Sequence, residues 1–167
     1  MTSGCDDSTW LEAVSIEPMK PTDLDEVLAI ERASFTSAWS RQSYLRELRS
    51  RNSHYLVARL AGGIIGYAGM WTISDEAHIS TIAVHADHRR RGLGSRLLSH
   101  LMEIARRQPV AKVTLEVREA NHIARNLYRK FGFQETGILP RYYGDTGETG
   151  VAMSKTLAPE HNRGQQS

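Results

Sequence analysis

The densest chemical content lies in Thr81-Ile82-Ala83-Val84-His85-Ala86-Asp87-His88-Arg89-Arg90-Arg91-Gly92-Leu93-Gly94-Ser95-Arg96. A strand runs into a glycine-containing loop, and the loop into a helix. The first N–H groups of a helix have no partner within it, and the helix dipole adds partial positive charge there. Glycine lets an anionic group come close to the backbone, so Gly92-x-Gly94 ahead of a helix predicts a phosphate cradle. Arg89, Arg90 and Arg91 add charge-assisted hydrogen bonds. Spacing alone leaves two other readings open, a tight turn and a solvated basic loop.

The elements that must position this loop follow from periodicity. Val14–Met19 alternates weakly as a first strand. Pro21 and Thr22 start a helix, with Thr22 as cap, Asp25 in the capping-box position, and Leu24, Val27 and Leu28 as its stripe. Ser40 caps a second helix with Tyr44, Leu45 and Leu48 inward. Tyr55–Leu60 and Ile64–Thr72 are strands joined by an Ala61-Gly62-Gly63 turn, and Ala77–Val84 is a third. A helix begins near Gly94 and ends at Pro109. Lys112–Arg118 alternates cleanly: Val113, Leu115 and Val117 face one way, Thr114, Glu116 and Arg118 the other. Asn121 caps a short helix to Lys130. Phe133–Leu139 and Gly150–Leu157 are the last strands, with Arg141-Tyr142-Tyr143 in a polar hairpin. The order predicts a mixed α/β domain with a largely antiparallel sheet of about seven strands and about four helices.

A chain of 167 residues is the size of one domain. Its 40% hydrophobic and 24% charged residues are ordinary for a soluble globular protein. A net charge of only +2 argues against a general nucleic-acid binder. The lone Cys5 excludes an internal disulfide framework and a cysteine-rich zinc site. No apolar run approaches the roughly 20 residues of a membrane helix. The polar, acidic start lacks the features of a signal peptide, so a cytoplasmic protein is expected. Residues 1–13 and 159–167 read as flexible tails around one domain at 14–158.

Several motifs stand in a telling order: Arg89-x-x-Gly92-x-Gly94, Leu115-Glu116-Val117-Arg118, Asn121-x-x-Ala124, Leu127-Tyr128-x-x-x-Gly132-Phe133, and Arg141-Tyr142-Tyr143. Together they resemble the GNAT family of N-acetyltransferases, in particular its RimI branch of ribosomal-protein alanine N-acetyltransferases. The resemblance spans roughly 14–157. The family fold is a mixed sheet whose two central strands splay apart, in keeping with the elements above.

The resemblance implies acetyl-CoA as cosubstrate, with no metal. Main-chain groups of Ile82, Ala83 and Val84 would pair with its pantetheine arm. Arg89, Arg90, Arg91, Gly92, Leu93, Gly94 and Ser95 would hold its pyrophosphate, and Asn121 would contact it further along. An α-amine with a pKa of about 8 needs a base, and Glu116, between apolar neighbours on its strand, is the choice. The alternative for Glu116 is a salt bridge, for instance with Arg118. Tyr128 would protonate the departing thiolate, or serve only as a core aromatic. Phe35, Trp39, Tyr142 and Tyr143 would wall the peptide groove, although Trp39 also fits a structural role. His85 and His88 depart from the family's common acidic and aromatic residues, and Thr81 from its frequent asparagine. His78 could assist proton transfer if its strand face opens to the cleft, but a lone strand histidine is usually structural, and it stays outside the site.

The function so implied is transfer of an acetyl group to a protein's free N-terminal α-amine, the N-terminal alanine of a small-subunit ribosomal protein. The enzyme would be a monomer without membrane or direct nucleic-acid partners. Two alternatives stay open. One is an acceptor of another kind: a lysine side chain, a polyamine or an aminoglycoside. The other is a non-catalytic coenzyme A sensor or scaffold, against which the presence of both Glu116 and Tyr128 speaks.

Overall fold

A computed structural model describes residues 7–157; residues 1–6 and 158–167, Cys5 and the whole expected C-terminal tail among them, lie outside the described residues. In chain order the elements are α1 (Asp7–Glu12), β1 (Ser15–Pro18), α2 (Leu24–Ser34), α3 (Arg41–Arg49), β2 (Ser53–Leu60), β3 (Gly63–Ile73), β4 (Glu76–Val84), α4 (Leu93–Arg106), β5 (Lys112–Arg118), α5 (His122–Lys130), β6 (Gln134–Tyr143) and β7 (Glu148–Thr156). The strands form one sheet in the order β1-β2-β3-β4-β5-β7-β6. β1 runs antiparallel to β2, and β7 to both β5 and β6, whereas β4 and β5 are parallel. This is the mixed, mostly antiparallel sheet that the sequence predicts. The parallel ladder holds three pairs, Glu76 with Lys112, Ala77 with Val113 and His78 with Thr114, yet β4 runs on to Val84 and β5 to Arg118. That short ladder is the splayed central pair. On its other edge β5 pairs with β7 along its whole length.

The chain condenses into two compact units, one comprising the chain up to Met70 with Thr81–Met102, the other Trp71–Ser80 with the chain from Glu103. In the first, Leu24, Val27, Leu28 and Ile30 of α2 share a buried cluster with Tyr44, Tyr55, Val57, Ile64 and Tyr67. Glu31 continues the helical spacing of that stripe and is only 4% exposed. Its carboxylate is fully met: Tyr44 Oη donates to Oε2 at 2.7 Å, Tyr67 Oη donates to the same oxygen, and the Trp39 N–H donates to Oε1 at 3.2 Å. In the second unit β5 buries Val113, Leu115 and Val117, and β7 buries Val151 and Met153, each with the period of two that a strand imposes.

Three local expectations need correction. Residues 7–12, read as part of a loose tail, form α1. Arg96 donates to the Leu11 carbonyl, and Trp10 stacks on His88 with 6.0 Å between centroids. Tertiary contact, not periodicity, explains this helix. Thr22 does not cap α2. Pro21 opens a 3-10 turn through Asp23, and it is Asp23 that accepts the Lys20 N–H at 2.9 Å and Arg59 Nη2 at 2.7 Å. Asp25 instead is exposed and paired with Arg41. Finally, Tyr142 and Tyr143 belong to β6 itself, where Tyr143 pairs with Glu148. Pro140 is tolerated because β6 is an edge strand. The caps at Ser40 and Asn121 form as read, accepting from the N–H of Ser43 and of Ala124, each at 3.2 Å.

Candidate active site

The cradle residues all lie in the first unit. Ile82, Ala83 and Val84 end β4, and Leu93 opens the 14-residue α4. Arg89, Arg90, Arg91 and Gly92 between them are exposed. Arg90 (φ 63°) and Gly92 (φ 84°) both take the left-handed conformation, so a Cβ at Gly92 would be strained. The Leu93 side chain is core, 1% exposed, so only its main chain is free to meet a ligand. The three arginines differ. Arg89 Nε donates to the Val84 carbonyl at 3.1 Å and so ties the loop to the strand end. Arg91 sits over the Trp10 ring, 5.4 Å from its centroid. An exposed loop entering a helix, a left-handed turn and a cationic rim suit an anionic pyrophosphate. Phe35 and Trp39 follow α2 in the same unit. They are 36% and 39% exposed, and Trp39 lies 5.4 Å from the Tyr44 ring.

Glu116, Tyr128, Tyr142, Tyr143 and Asn121 lie in the second unit. Glu116 faces the same way as Thr114 and Arg118, as the alternation predicts, and its side chain is 28% exposed. The expected competitor, Arg118, is engaged elsewhere. It pairs with Asp145 at 3.2 Å and Glu148 at 3.6 Å, and its guanidinium covers the Tyr143 ring at 4.0 Å. The partner of Glu116 is His78, with Nε2 2.9 Å from Oε2. His78 Nδ1 is 2.9 Å from Thr114 Oγ1, which donates to Glu76 Oε1 at 2.7 Å. The indole of Trp71 lies against the His78 ring at 4.9 Å. The sequence reading left His78 out. The signal was its parity with Glu76 on β4, but that places it beside Thr114 only once the parallel register is known.

Tyr142 and Tyr143 meet edge to face at 5.1 Å. Burial holds the Tyr142 phenol above its ordinary pKa, and the charge of Glu116 adds to this. Burial pushes Tyr143 up to about 12 despite the neighbouring Arg118. Both tyrosines therefore sit in the field of Glu116 and stay protonated near neutrality. Tyr128 is 9% exposed and packs against Phe133 at 5.8 Å. Burial first, and the nearby Tyr143 second, push its pKa up to about 12. Such a phenol is always available as a donor. It holds its proton more tightly than a thiol of pKa about 8.5, so hydrogen bonding to a departing sulfur comes more easily than full transfer. Asn121 is exposed, with its side-chain oxygen turned to the α5 N-terminus. Among the described residues, no group of three His, Cys, Asp or Glu is placed to hold a metal, and no helix is long and apolar enough to cross a membrane.

A splayed parallel pair within a mostly antiparallel sheet, with a glycine-arginine loop entering α4, is the frame of an acetyltransferase. The family model described as the acetyltransferase (GNAT) family matches residues 24–133, and the chain belongs to that family. It is similar to a putative [ribosomal protein bS18]-alanine N-acetyltransferase of Bacillus subtilis, 38% identical over 144 residues, 86% of this chain and 95% of that protein. It is also similar to the N-alpha-acetyltransferase RimI of Mycobacterium tuberculosis, 35% identical over 150 residues, 86% of this chain and 93% of that protein. Among solved structures, a ribosomal-protein alanine N-acetyltransferase from Escherichia coli superimposes with a TM-score of 0.79 at 30% identity, covering 88% of this chain and 97% of that one.

Proposed function

We propose that the protein moves the acetyl group of acetyl-CoA onto the free N-terminal α-amine of a protein, the N-terminal alanine of a small-subunit ribosomal protein. The observation that carries this reading is the half-exposed Glu116 carboxylate on β5, bordered by Tyr142 and Tyr143, in a chain whose near full-length relatives bear that activity in their names. The reading has the main chain of Ile82–Val84 and the loop from Arg89 to Ser95 hold the cosubstrate, with Asn121 contacting it further along. Glu116 takes a proton from the ammonium, and the freed amine attacks the thioester carbonyl within a ternary complex. An N–C bond forms, and the C–S bond breaks with its electron pair going to sulfur. Tyr128 donates a hydrogen bond to that sulfur, which takes up the second proton shed by the nitrogen and leaves as the thiol. Phe35, Trp39, Tyr142 and Tyr143 contact the acceptor peptide and favour a small first residue. The protein acts as a monomer in the cytoplasm.

The test supplies acetyl-CoA with peptides beginning in alanine or serine, alongside lysine-only, N-terminally blocked, polyamine and aminoglycoside acceptors. Thiol release and peptide mass are followed together. The reading expects acetylation of free N-termini, with kcat reduced at least about 100-fold in Glu116→Gln. Turnover confined to lysine or small amines would sink the acceptor assignment.

A further inference from the structure

We infer that His78 is the second half of the base: it acts through Glu116, and the amine's proton comes to rest between Glu116 Oε2 and His78 Nε2. The inference rests on the proposed role of Glu116. Its ground is the direction of a hydrogen-bond chain. An ionised carboxylate only accepts, so Thr114 Oγ1 must be the donor to Glu76 at 2.7 Å. A hydroxyl has one proton, so toward His78 the same oxygen must accept, and Nδ1, 2.9 Å away, must carry the hydrogen. A neutral imidazole has one N–H, which leaves Nε2 bare and aimed at Glu116 Oε2 at 2.9 Å. Two acceptors at that distance make a slot for one proton. The chain thus fixes His78 in the tautomer that can receive.

The slot is also sheltered. His78 is 17% exposed, and Trp71 lies against its ring. The acyl transfer balances. The ammonium gives one proton to the Glu116–His78 pair, the amine's second departing proton matches the one the sulfur gains, and the pair returns its proton to water after product leaves. His78 is a positioning and proton-holding residue, since it reaches the substrate only through Glu116.

Because two groups share the proton, the acid limb of the rate profile belongs to the pair. The groups that bear on it are Glu116 and Thr114 of β5, Glu76 of β4 with Lys112 at 3.8 Å from it, the Trp71 ring of β3, and Tyr142 and Tyr143 of β6. In His78→Gln the carboxylate works alone. We expect kcat to fall about 30-fold, below the cost of losing the proton acceptor itself, with KM unchanged and the acid limb moved to lower pH. A merely structural histidine would lower the whole profile uniformly, and that result overturns the inference. The tautomer is read separately, by nitrogen NMR of histidine-labelled wild type and of Thr114→Val. Neutral His78 should carry its proton on Nδ1 in the wild type and lose that preference in Thr114→Val. A proton on Nε2 of the neutral wild-type ring overturns the inference, whatever the kinetics. If the wild type leaves peptide N-termini untouched, the acceptor assignment fails alone, and the NMR still decides on His78.

Discussion

Two glutamates in this chain have been withdrawn from water in opposite ways. Glu31 is buried and met by two tyrosine hydroxyls and a backbone N–H, none of which changes charge near neutrality. Glu116 is more open, and its partner is an imidazole, the side chain that titrates nearest neutrality. A carboxylate with permanent donors is an anchor: it fixes where α2, α3 and the Trp39 segment meet. A carboxylate with a titratable partner is a place where a proton can come and go. The number of hydrogen bonds matters less than whether the donors can change state.

Substitution separates the two. Glu31→Ala leaves two buried hydroxyls and an N–H unmet, and should lower unfolding stability by about 3 kcal/mol or more, read by denaturant titration. Glu116→Gln should leave the unfolding midpoint nearly unchanged while kcat falls at least about 100-fold. A destabilised Glu116→Gln, or an active but unstable chain lacking it, would erase the distinction.

Alkaline pH probes the anchor. Burial, then the charges of the other tyrosine and of Glu31, raises the Tyr44 phenol far above the ordinary range, and burial with hydrogen bonding to Glu31 raises Tyr67. Tyr128 is pushed up to about 12. A folded pKa above the unfolded one means stability fully present below about pH 10 and lost as pH climbs toward the folded value. For Tyr128 alone the full loss is on the order of 3 kcal/mol and is complete only above about pH 12. Tyrosinate absorbance should therefore rise late and together with unfolding; a smooth rise in the folded protein would contradict it. The smallest effect belongs to surface charge. The exposed Arg41–Asp25 pair should contribute at most about 1 kcal/mol, so Arg41→Ala should shift the midpoint little.

The sequence carried the elements whose signals are local. The alternation of Lys112–Arg118 and the caps at Ser40 and Asn121 are each written within a few residues and form as read, and the expected turn forms at Ala61 and Gly62, with Gly63 already in β3. The facing of Glu116 was legible because its strand has a clean period of two. What escaped depends on pairings far apart in the chain. His78 faces Thr114 across a sequence offset of 36, a relation that only the strand register supplies. Helix α1 exists through contacts with Arg96 and His88 that no local pattern announces. At α2, Thr22 and Asp23 both suit a cap by residue type, and it is Asp23 that stands at the helix start, its carboxylate taken by the Lys20 N–H and Arg59. The polar stretch around Tyr142 reads as a hairpin beyond the strand end because an exposed edge strand lacks the apolar alternation of a central one.

The resting of Trp10 on His88 and Arg91, with Arg89 tied back to Val84, has a calorimetric consequence. Side chains already immobilised before a ligand arrives have little rotational freedom left to surrender. On the proposed site, association of coenzyme A with this loop should therefore carry a small entropic penalty. Trp10→Ala, by setting Arg91 loose, should leave the heat of binding nearly constant while its entropy becomes less favourable.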